Sequence, residues 1–228
     1  MGQYFTNDED LKSCIKKLDC FLLGNKLSFY TDNGVFSKNG IDFGSRLLLE
    51  TISKEDLGSD ILDVGCGYGV IGLSLCKLKQ CNVTMCDVNR RALHLAERNA
   101  RENKCSFVKI IESNCYSNID GKFTTIVTNP PIRAGKKIVY EILMNAKEYL
   151  TEGGKLYFVV RKEQGAKSII SDMSKIYNVE VLERKKGFFI IKCCFWLTYW
   201  CNCGNNINWQ RIIFYKYVLW FYYVYRGE

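Results

Sequence analysis

Proline, histidine and long hydrophobic runs are all scarce in this chain of 228 residues. The only two prolines are adjacent, Pro130 and Pro131. The single histidine, His94, falls inside a predicted helix with no ligand partner in view, so we expect it to be structural and expect no metal site. The longest uncharged apolar run, YVLWFYYVY, is too short to span a bilayer, and the polar, acidic start is unlike a signal peptide. We therefore expect a cytoplasmic protein without membrane association.

The charge and the cysteines constrain the class of protein only loosely. A formal net charge of +8 favours an anionic partner such as nucleic acid. The chain has 12 cysteines but no CxxC pair. We therefore expect buried, reduced thiols rather than a disulfide scaffold.

Short apolar runs alternate with helical patterns through most of the chain. Predicted strands lie at 60–65, 81–88, 107–113, 123–129 and 155–160. Predicted helices lie at 70–79, 90–104, 136–150 and 165–177, and a hairpin of 178–184 with 188–193 follows them. This alternation predicts an α/β fold with a doubly wound, mostly parallel sheet and an antiparallel terminal hairpin strand.

Three segments are predicted along the chain. Residues 1–60 form an N-terminal extension, with a strand pair near 21–32 and a helix from about 42. Residues 61–192 form the α/β domain. The composition changes abruptly from Cys193, and all four tryptophans lie in the tail 193–228. This tail is either a partner-binding segment or a stretch outside the design of the domain, and Cys201 and Cys203 lack zinc-site spacing.

A glycine-rich stretch, LDVGCGYGVIG, follows the first strand of the domain and carries two overlapping patterns. Gly67, Gly69 and Gly72 match the dinucleotide-binding pattern of a strand–helix turn. Asp63 followed by Gly65, Gly67 and Gly69 suits S-adenosylmethionine, which needs room for its amino-acid end rather than phosphate-binding amides. Asp87 ends the next strand, where a carboxylate can accept hydrogen bonds from ribose hydroxyls in either cofactor class. A nucleoside cofactor is predicted, and its identity stays open at this point.

The stretch TNPPI, at the end of the fourth predicted strand, favours the methyl donor. Asn129 can offer its amide oxygen to a substrate N–H, and the rigid Pro130-Pro131 pair leaves a carbonyl for a second hydrogen bond. Two acceptors would orient the lone pair of a planar amine toward a methyl sulfonium without a strong general base. A dehydrogenase has no need for this sequence. The alternative is a proline-terminated strand in which Asn129 merely caps the next helix.

The motifs DVGCGYG, CDVN and TNPPIRAGK together resemble class I S-adenosylmethionine-dependent methyltransferases. More narrowly, they resemble the catalytic domain of the small-subunit (16S) ribosomal RNA guanine-N2 methyltransferases, the RsmC-like family. The stretches TDNGVFSKNGIDFGSRLLLE, GGKLYFVVRKEQGA and KKGFFIIK extend this likeness to about residues 1–192. The resemblance implies a Rossmann-like seven-stranded sheet, S-adenosylmethionine as cofactor, methyl transfer to guanine N2, and ribosomal RNA or a ribosomal subunit as partner.

The resemblance also implies roles for individual residues. The residues around the methionine end would be Asp63, Gly65, Cys66, Gly67 and Gly69. Those at the ribose and adenine would be Asp87, Val88, Asn114 and Cys115. The extension would close over the cofactor with Phe36, Asp42, Phe43 and Gly44. The target amine would be held by Asn129, Pro130, Pro131 and Ile132. Basic residues at the same sheet edge could hold RNA phosphates, namely Arg133, Lys136, Lys137, Arg161 and Lys162.

Two departures from the family pattern leave alternatives open. Many base-amine methyltransferases have an aromatic residue after the two prolines, where this chain has Ile132. The sequence also shows no counterpart of the extra N-terminal domain found in the best-known members. The acceptor could therefore be an adenine amine or a protein glutamine amide, which pose the same chemical problem. An NAD-linked oxidoreductase and a non-catalytic RNA-binding protein are the further alternatives.

Overall fold

The computed structural model describes residues 11–195. Its strands are β1 (Lys16–Leu22), β2 (Asn25–Thr31), β3 (Asp60–Val64), β4 (Asn82–Asp87), β5 (Val108–Glu112), β6 (Phe123–Thr128), β7 (Leu150–Arg161), β8 (Tyr177–Lys185) and β9 (Phe188–Phe195). Its α-helices are α1 (Phe43–Ile52), α2 (Val70–Lys79), α3 (Arg90–Glu102), α4 (Lys136–Asn145) and α5 (Ala166–Met173).

Strands β3 to β9 form one seven-stranded sheet in the order β5-β4-β3-β6-β7-β9-β8. The first five strands of this order are parallel, and β9 is antiparallel to both β7 and β8. Helices α1, α2 and α3 contribute to one hydrophobic cluster, and α4 and α5 contribute to a second. This arrangement confirms the predicted doubly wound sheet with an antiparallel terminal hairpin strand.

Two helices, α2 and α3, begin where the sequence predicted them to begin. The side chain of Asn89 accepts a hydrogen bond from the Ala92 amide at 3.1 Å and caps α3. Gly69 caps α2 with a left-handed φ of 94°, a conformation that favours glycine. Both caps lie at the carboxyl ends of strands, so they help to shape the edge where a ligand would bind.

The predicted helix over 136–150 is too long. Helix α4 ends at Asn145, and Leu150 instead begins β7, where it pairs with Phe123. The register between β6 and β7 then shifts, so that Thr125 pairs with Lys155. Gly153 and Gly154 therefore lie in an irregular stretch of the strand rather than at a helix stop. Leu150 is apolar because it is buried as part of β7. Its position also continues the apolar spacing of α4, so the sequence pattern predicted a helix that extends to Leu150.

The N-terminal extension packs into the body of the domain. Strands β1 and β2 form a separate antiparallel hairpin. The side chain of Asn99 in α3 accepts from the amide of Tyr30 at 2.6 Å and donates to its carbonyl at 3.0 Å, so it satisfies these two groups on the open edge of β2. Helix α1 shares the core cluster of α2 and α3. This attachment brings the segment between β2 and α1 to the carboxyl edge of the large sheet.

The C-terminal end of the described chain is β9, which continues to Phe195, past the predicted boundary at 193. Cys193 is fully buried within this strand. The remainder of the predicted tail, including Cys201 and Cys203, lies outside the described residues. Between residues 11 and 195, no helix combines the length and apolarity needed to cross a membrane.

Candidate active site

A cavity of about 1150 Å³ opens at the carboxyl ends of the parallel strands. The segment between β2 and α1 forms its opposite wall, so strand ends and extension enclose it together. Most of the predicted site residues line it: Phe36, Asp42, Gly65, Cys66, Gly67, Asp87, Val88, Asn114, Cys115, Asn129, Pro130, Pro131, Ile132, Arg133 and Arg161.

The glycine loop leaves open space above its backbone. Gly65 and Gly67 have left-handed φ values of 72° and 56°. A methyl group added at Gly67 would meet nothing within 4 Å, and one at Gly65 would reach only Pro131, at 4.0 Å. The amides of Gly65 and Cys66 both donate to the carbonyl of Cys86, at 2.9 and 3.0 Å. These two amides are therefore already bonded, which suits a ligand that needs room rather than phosphate-binding donors.

Asp87 presents a carboxylate to the same cavity. Its two oxygens accept hydrogen bonds from the amides of Gly67, at 2.8 Å, and Asn89, at 2.9 Å. Burial raises the pKa of the Asp87 carboxyl, and the amides that bond it oppose this shift. Each carboxylate oxygen has capacity for a further hydrogen bond. The side chain is thus fixed in place and can still accept bonds from a diol.

Asp63, predicted at the methionine end, does not line the cavity. Its side chain is fully buried beneath the loop, and Oδ2 accepts the Gly72 amide at 2.8 Å. Within residues 11–195, its Oδ1 has no hydrogen-bond partner. Burial raises the pKa of this carboxyl to about 7; the Gly72 amide opposes the rise, and the Asp87 charge adds to it. Gly69 is likewise not part of the wall, because it packs on Leu73 as the cap of α2.

The side-chain amide of Asn129 is held by two acceptors from the start of α1. Its Nδ2 donates to Asp42 Oδ2 at 3.0 Å and to Ser45 Oγ at 2.9 Å. A carboxylate can only accept hydrogen bonds, so the NH₂ end of the amide must face Asp42. The amide oxygen is thereby directed away from Asp42. Since Asn129 lines the cavity, the arrangement leaves an acceptor for a substrate N–H.

The two prolines hold the backbone that follows Asn129. The carbonyl of Pro130 accepts the Ile132 amide at 2.9 Å, and that of Pro131 accepts the Ala134 amide at 2.9 Å. One lone pair of the Pro130 carbonyl is therefore already used, which the sequence did not indicate. A carbonyl oxygen has two lone pairs, so a second bond to a substrate amine is still available.

Two predicted residues of the extension lie behind the wall. Phe43 packs against Phe188, with ring centroids 5.4 Å apart, and does not line the cavity. Gly44 is buried, and an added Cβ would lie 2.8 Å from a ring carbon of Phe188. Both residues therefore support the wall through Phe188.

The predicted phosphate-binding residues divide into two groups. Arg133 and Arg161 are exposed and line the cavity. Lys136, Lys137 and Lys162 are exposed but lie off its wall, and the Lys136 ammonium lies 4.8 Å from the centre of the Tyr140 ring. Of the five predicted basic residues, only these two arginines line the cavity, together with the exposed Lys38, which was not predicted.

Sequence reasoning missed many residues of the wall, and Ser45 and Phe188 are the two that bear on Asn129 and its surroundings. Ser45 lies three residues after the helix cap Asp42, a spacing at which an N-cap side chain meets a backbone amide. That spacing could have indicated Ser45. Phe188 carried no such signal, because it reaches the cavity through the antiparallel return of β9 alongside β7.

Comparison with known proteins identifies a family. The family model described as methyltransferase small domain matches residues 26–192. The uncharacterized protein YbxB of Bacillus subtilis is 43% identical over 197 residues, which cover 84% of this chain and 98% of YbxB. The ribosomal RNA small subunit methyltransferase C of Mannheimia succiniciproducens is 44% identical over 140 residues. That match covers 59% of this chain and 41% of the relative, so the chain spans less than half of that enzyme's length.

Solved structures share the fold. The T. thermophilus 16S rRNA N2 methyltransferase in complex with AdoMet and guanosine is similar with a TM-score of 0.72 and 21% identity, over 81% of this chain and 52% of that chain. A ribosomal protein L11 methylase from Lactobacillus delbrueckii is similar with a TM-score of 0.60 and 21% identity, over 67% of this chain and 78% of that one. On the family model and its relatives, the chain belongs to the methyltransferase small domain family, which confirms the predicted class I S-adenosylmethionine-dependent methyltransferase.

Proposed function

We propose that this methyltransferase modifies the exocyclic N2 amine of a guanine in RNA, with 16S ribosomal RNA as its substrate. The observation that carries the proposal is the Asn129 amide, fixed by Asp42 and Ser45 with its oxygen available to the cavity. A fixed acceptor of this kind suits an amine whose nitrogen is planar and weakly nucleophilic.

The cavity fits the cofactor by its shape and donor set. S-adenosylmethionine supplies an electrophilic methyl group on a positively charged sulfur. We propose that its methionine end lies in the open space above Gly65 and Gly67, and that Asp87 accepts hydrogen bonds from the ribose hydroxyls. Asn114 and Cys115, which follow β5 and line the cavity, would flank the adenine. Phe36, 40% exposed on the opposite wall, would cover the cofactor.

Asn129 would position the amine rather than take its proton in the rate-determining step. Its Oδ1 accepts one N–H and the second lone pair of the Pro130 carbonyl accepts the other. Both acceptors draw on the amine hydrogens, so the nitrogen lone pair faces the methyl group and the positive charge that develops on nitrogen is dispersed. As the nitrogen–methyl bond forms, the sulfur–methyl bond would break and leave a neutral thioether. The proton can then leave to water, because a methylated and cationic amine is a strong acid. A site of this kind would need no histidine as a general base.

RNA as the substrate is supported by charge and by relatives. The chain carries a formal net charge of +8, and Arg133 and Arg161 border the opening, where backbone phosphates of an extruded nucleotide would lie. The relative from Mannheimia succiniciproducens, which is named for ribosomal RNA, matches this chain at 44% identity, although it is more than twice as long as the aligned segment. The identity of the RNA and of the base is therefore part of the proposal.

Mass-spectrometric mapping of nucleosides tests the proposal. Ribosomal RNA from cells that lack the gene is compared with RNA from cells complemented with the wild type, with Asn129→Ala or with His94→Gln. We expect one N2-methylguanosine to disappear with the gene, to return with the wild type and with the exposed His94→Gln control, and to stay absent with Asn129→Ala. A methylated adenine that disappears instead would redirect the proposal to that base. Unchanged RNA with loss of a methylated glutamine would assign the activity to a protein.

A further inference from the structure

The side of the cavity opposite Ile132 carries an aromatic residue from a distant part of the chain. Ile132 packs against the hydrophobic cluster on the α4 side of the sheet. Phe188, the first residue of β9, packs against the cluster on the α1 side. Both residues line the cavity together with Asn129. The strand-end residue that holds the target amine therefore lies between an aliphatic side chain and an aromatic ring.

The sheet order fixes how far Phe188 lies from the target amine. The strands run β6-β7-β9, and Arg161 at the end of β7 pairs with Phe188 at the start of β9. Thr128 pairs with Phe158, so Asn129 lies two residues short of Arg161 along the strand direction. Two strand spacings and this offset together separate the backbones of Asn129 and Phe188 by about 12 Å. A purine held at Asn129 by its amine edge extends over about half of that distance, and the two side chains extend into the remainder. Its ring system would then reach the Phe188 side of the cavity.

The Phe188 ring packs against the start of α1 and is covered by a partly exposed arginine side chain. Phe43 packs on it at 5.4 Å between ring centroids, and Gly44 leaves no room for even a Cβ beside it. The guanidinium of Arg161 lies 5.0 Å from its centre, and that side chain is 48% exposed. A planar cation over an aromatic ring occupies the place that a stacked base would take.

We propose that Phe188 stacks on the target base and performs the role that an aromatic residue after the two prolines would otherwise have. This inference rests on the proposed function, because it presupposes a base as the substrate. Stacking on an aromatic ring holds an extruded base without reading its identity. Asn129 would then select the amine, and Phe188 would fix the orientation of the base by stacking on its face.

Steady-state kinetics of the full chain test this role. The probe is an in vitro transcript of 16S ribosomal RNA with tritiated S-adenosylmethionine, and the variants are Phe188→Leu, Phe188→Met and Phe188→Tyr. Phe189→Leu is the matched control, because Phe189 is adjacent on β9 but packs on the other face of the sheet. Calorimetry of cofactor binding shows in parallel whether each variant is folded and whether its cofactor site is intact. Methionine provides a second aliphatic variant of comparable volume in case leucine impairs folding.

Both aliphatic variants would lose one base-stacking contact. We therefore expect kcat/KM for RNA to fall about 5- to 150-fold in Phe188→Leu and Phe188→Met. Phe188→Tyr keeps a ring and should stay within about threefold of the wild type, as should Phe189→Leu. The dissociation constant for the cofactor should not change. Wild-type kcat/KM in both aliphatic variants, or an equal loss in the tyrosine variant, would overturn the stacking role while the RNA activity stands. A wild type that transfers no methyl to RNA would overturn the proposed function itself, and the stacking role with it.

Discussion

Replacing Asn129 by aspartate tests whether Asp42 fixes the orientation of the Asn129 side-chain amide. The substitution keeps the size of the side chain and an oxygen that faces the cavity. It changes the atom next to Asp42 from an amide nitrogen to a carboxylate oxygen. The hydrogen bond of 3.0 Å between Nδ2 and Asp42 Oδ2 would become a contact between two negative oxygens.

The size of this repulsion follows from the distance. Two unit charges 3 Å apart repel by about 5 kcal/mol at an effective dielectric constant of about 20. The pair can avoid the full cost by sharing one proton, as paired carboxylates do. The introduced carboxyl, when protonated, would donate to Asp42 and keep its other oxygen as an acceptor, which reproduces the geometry of the amide. We therefore expect Asn129→Asp to be active only in the fraction of molecules whose pair holds a proton.

The assay is methyl transfer to RNA between pH 6 and pH 9, with each variant normalised to the wild type. A repulsion of about 5 kcal/mol keeps the shared proton bound up to about pH 7.5, because about 1.36 kcal/mol corresponds to one pH unit. At pH 9 we therefore expect kcat/KM of Asn129→Asp to be reduced about 10- to 50-fold, and to recover about tenfold for each unit by which the pH falls toward the apparent pKa of the pair. Adding Asp42→Asn removes the second charge, so the double variant should regain about tenfold and lose this pH dependence. Recovery should be partial, because the same Asp42 oxygen also accepts the Ser45 amide that caps α1.

Two results would refute this account of Asn129. Wild-type activity of Asn129→Asp at pH 9 would show that Asp42 does not fix the amide. A folded variant with low activity that is independent of pH would show that the loss has another cause. Urea unfolding and cofactor affinity, measured on the same samples, separate both results from damage to the fold or to the cofactor site.

Three further predictions concern residues that surround the glycine loop. Because burial raises the pKa of Asp63 from 3.8 to about 7, the native state binds the proton more tightly, and the free energy of unfolding should fall by about 4 kcal/mol as the pH rises through this window. Urea titrations of Asp63→Asn should lack this fall, and an unchanged profile would contradict it. Gly72→Ala should destabilise the protein by about 1–3 kcal/mol, because its Cβ would lie 2.4 Å from the sulfur of Met85, whereas Gly40→Ala, with open space around it, should be near neutral in thermal unfolding. Asp87→Ala should weaken S-adenosylmethionine binding in calorimetry by about 100-fold through the loss of charged hydrogen bonds; an unchanged dissociation constant would place the ribose elsewhere.

Much of the architecture could be predicted because its signals are local. The alternation of apolar strands and amphipathic helices predicted the parallel sheet, and Asn89 marked the start of α3 by its capping chemistry alone. The helix over 136–150 was predicted too long because Leu150 is apolar for a reason outside its own segment, namely its pairing with Phe123. Helix and strand ends that depend on such pairing cannot be deduced from periodicity.

By itself, the sequence determined that a cofactor loop, Asp87 and Asn129 would meet at one edge of a parallel sheet, because each of them follows a strand directly and the carboxyl ends of parallel strands share an edge. Only the tertiary structure decided how those groups are oriented. It buried Asp63 beneath the loop, and it brought Asp42 and Ser45 to Asn129 across 87 and 84 residues of chain. It also placed Phe188 two strands from Asn129 through the antiparallel β9. The physical reason is that sheet order and helix packing are set by the burial of surfaces far apart in sequence, and no local pattern records which of them meet.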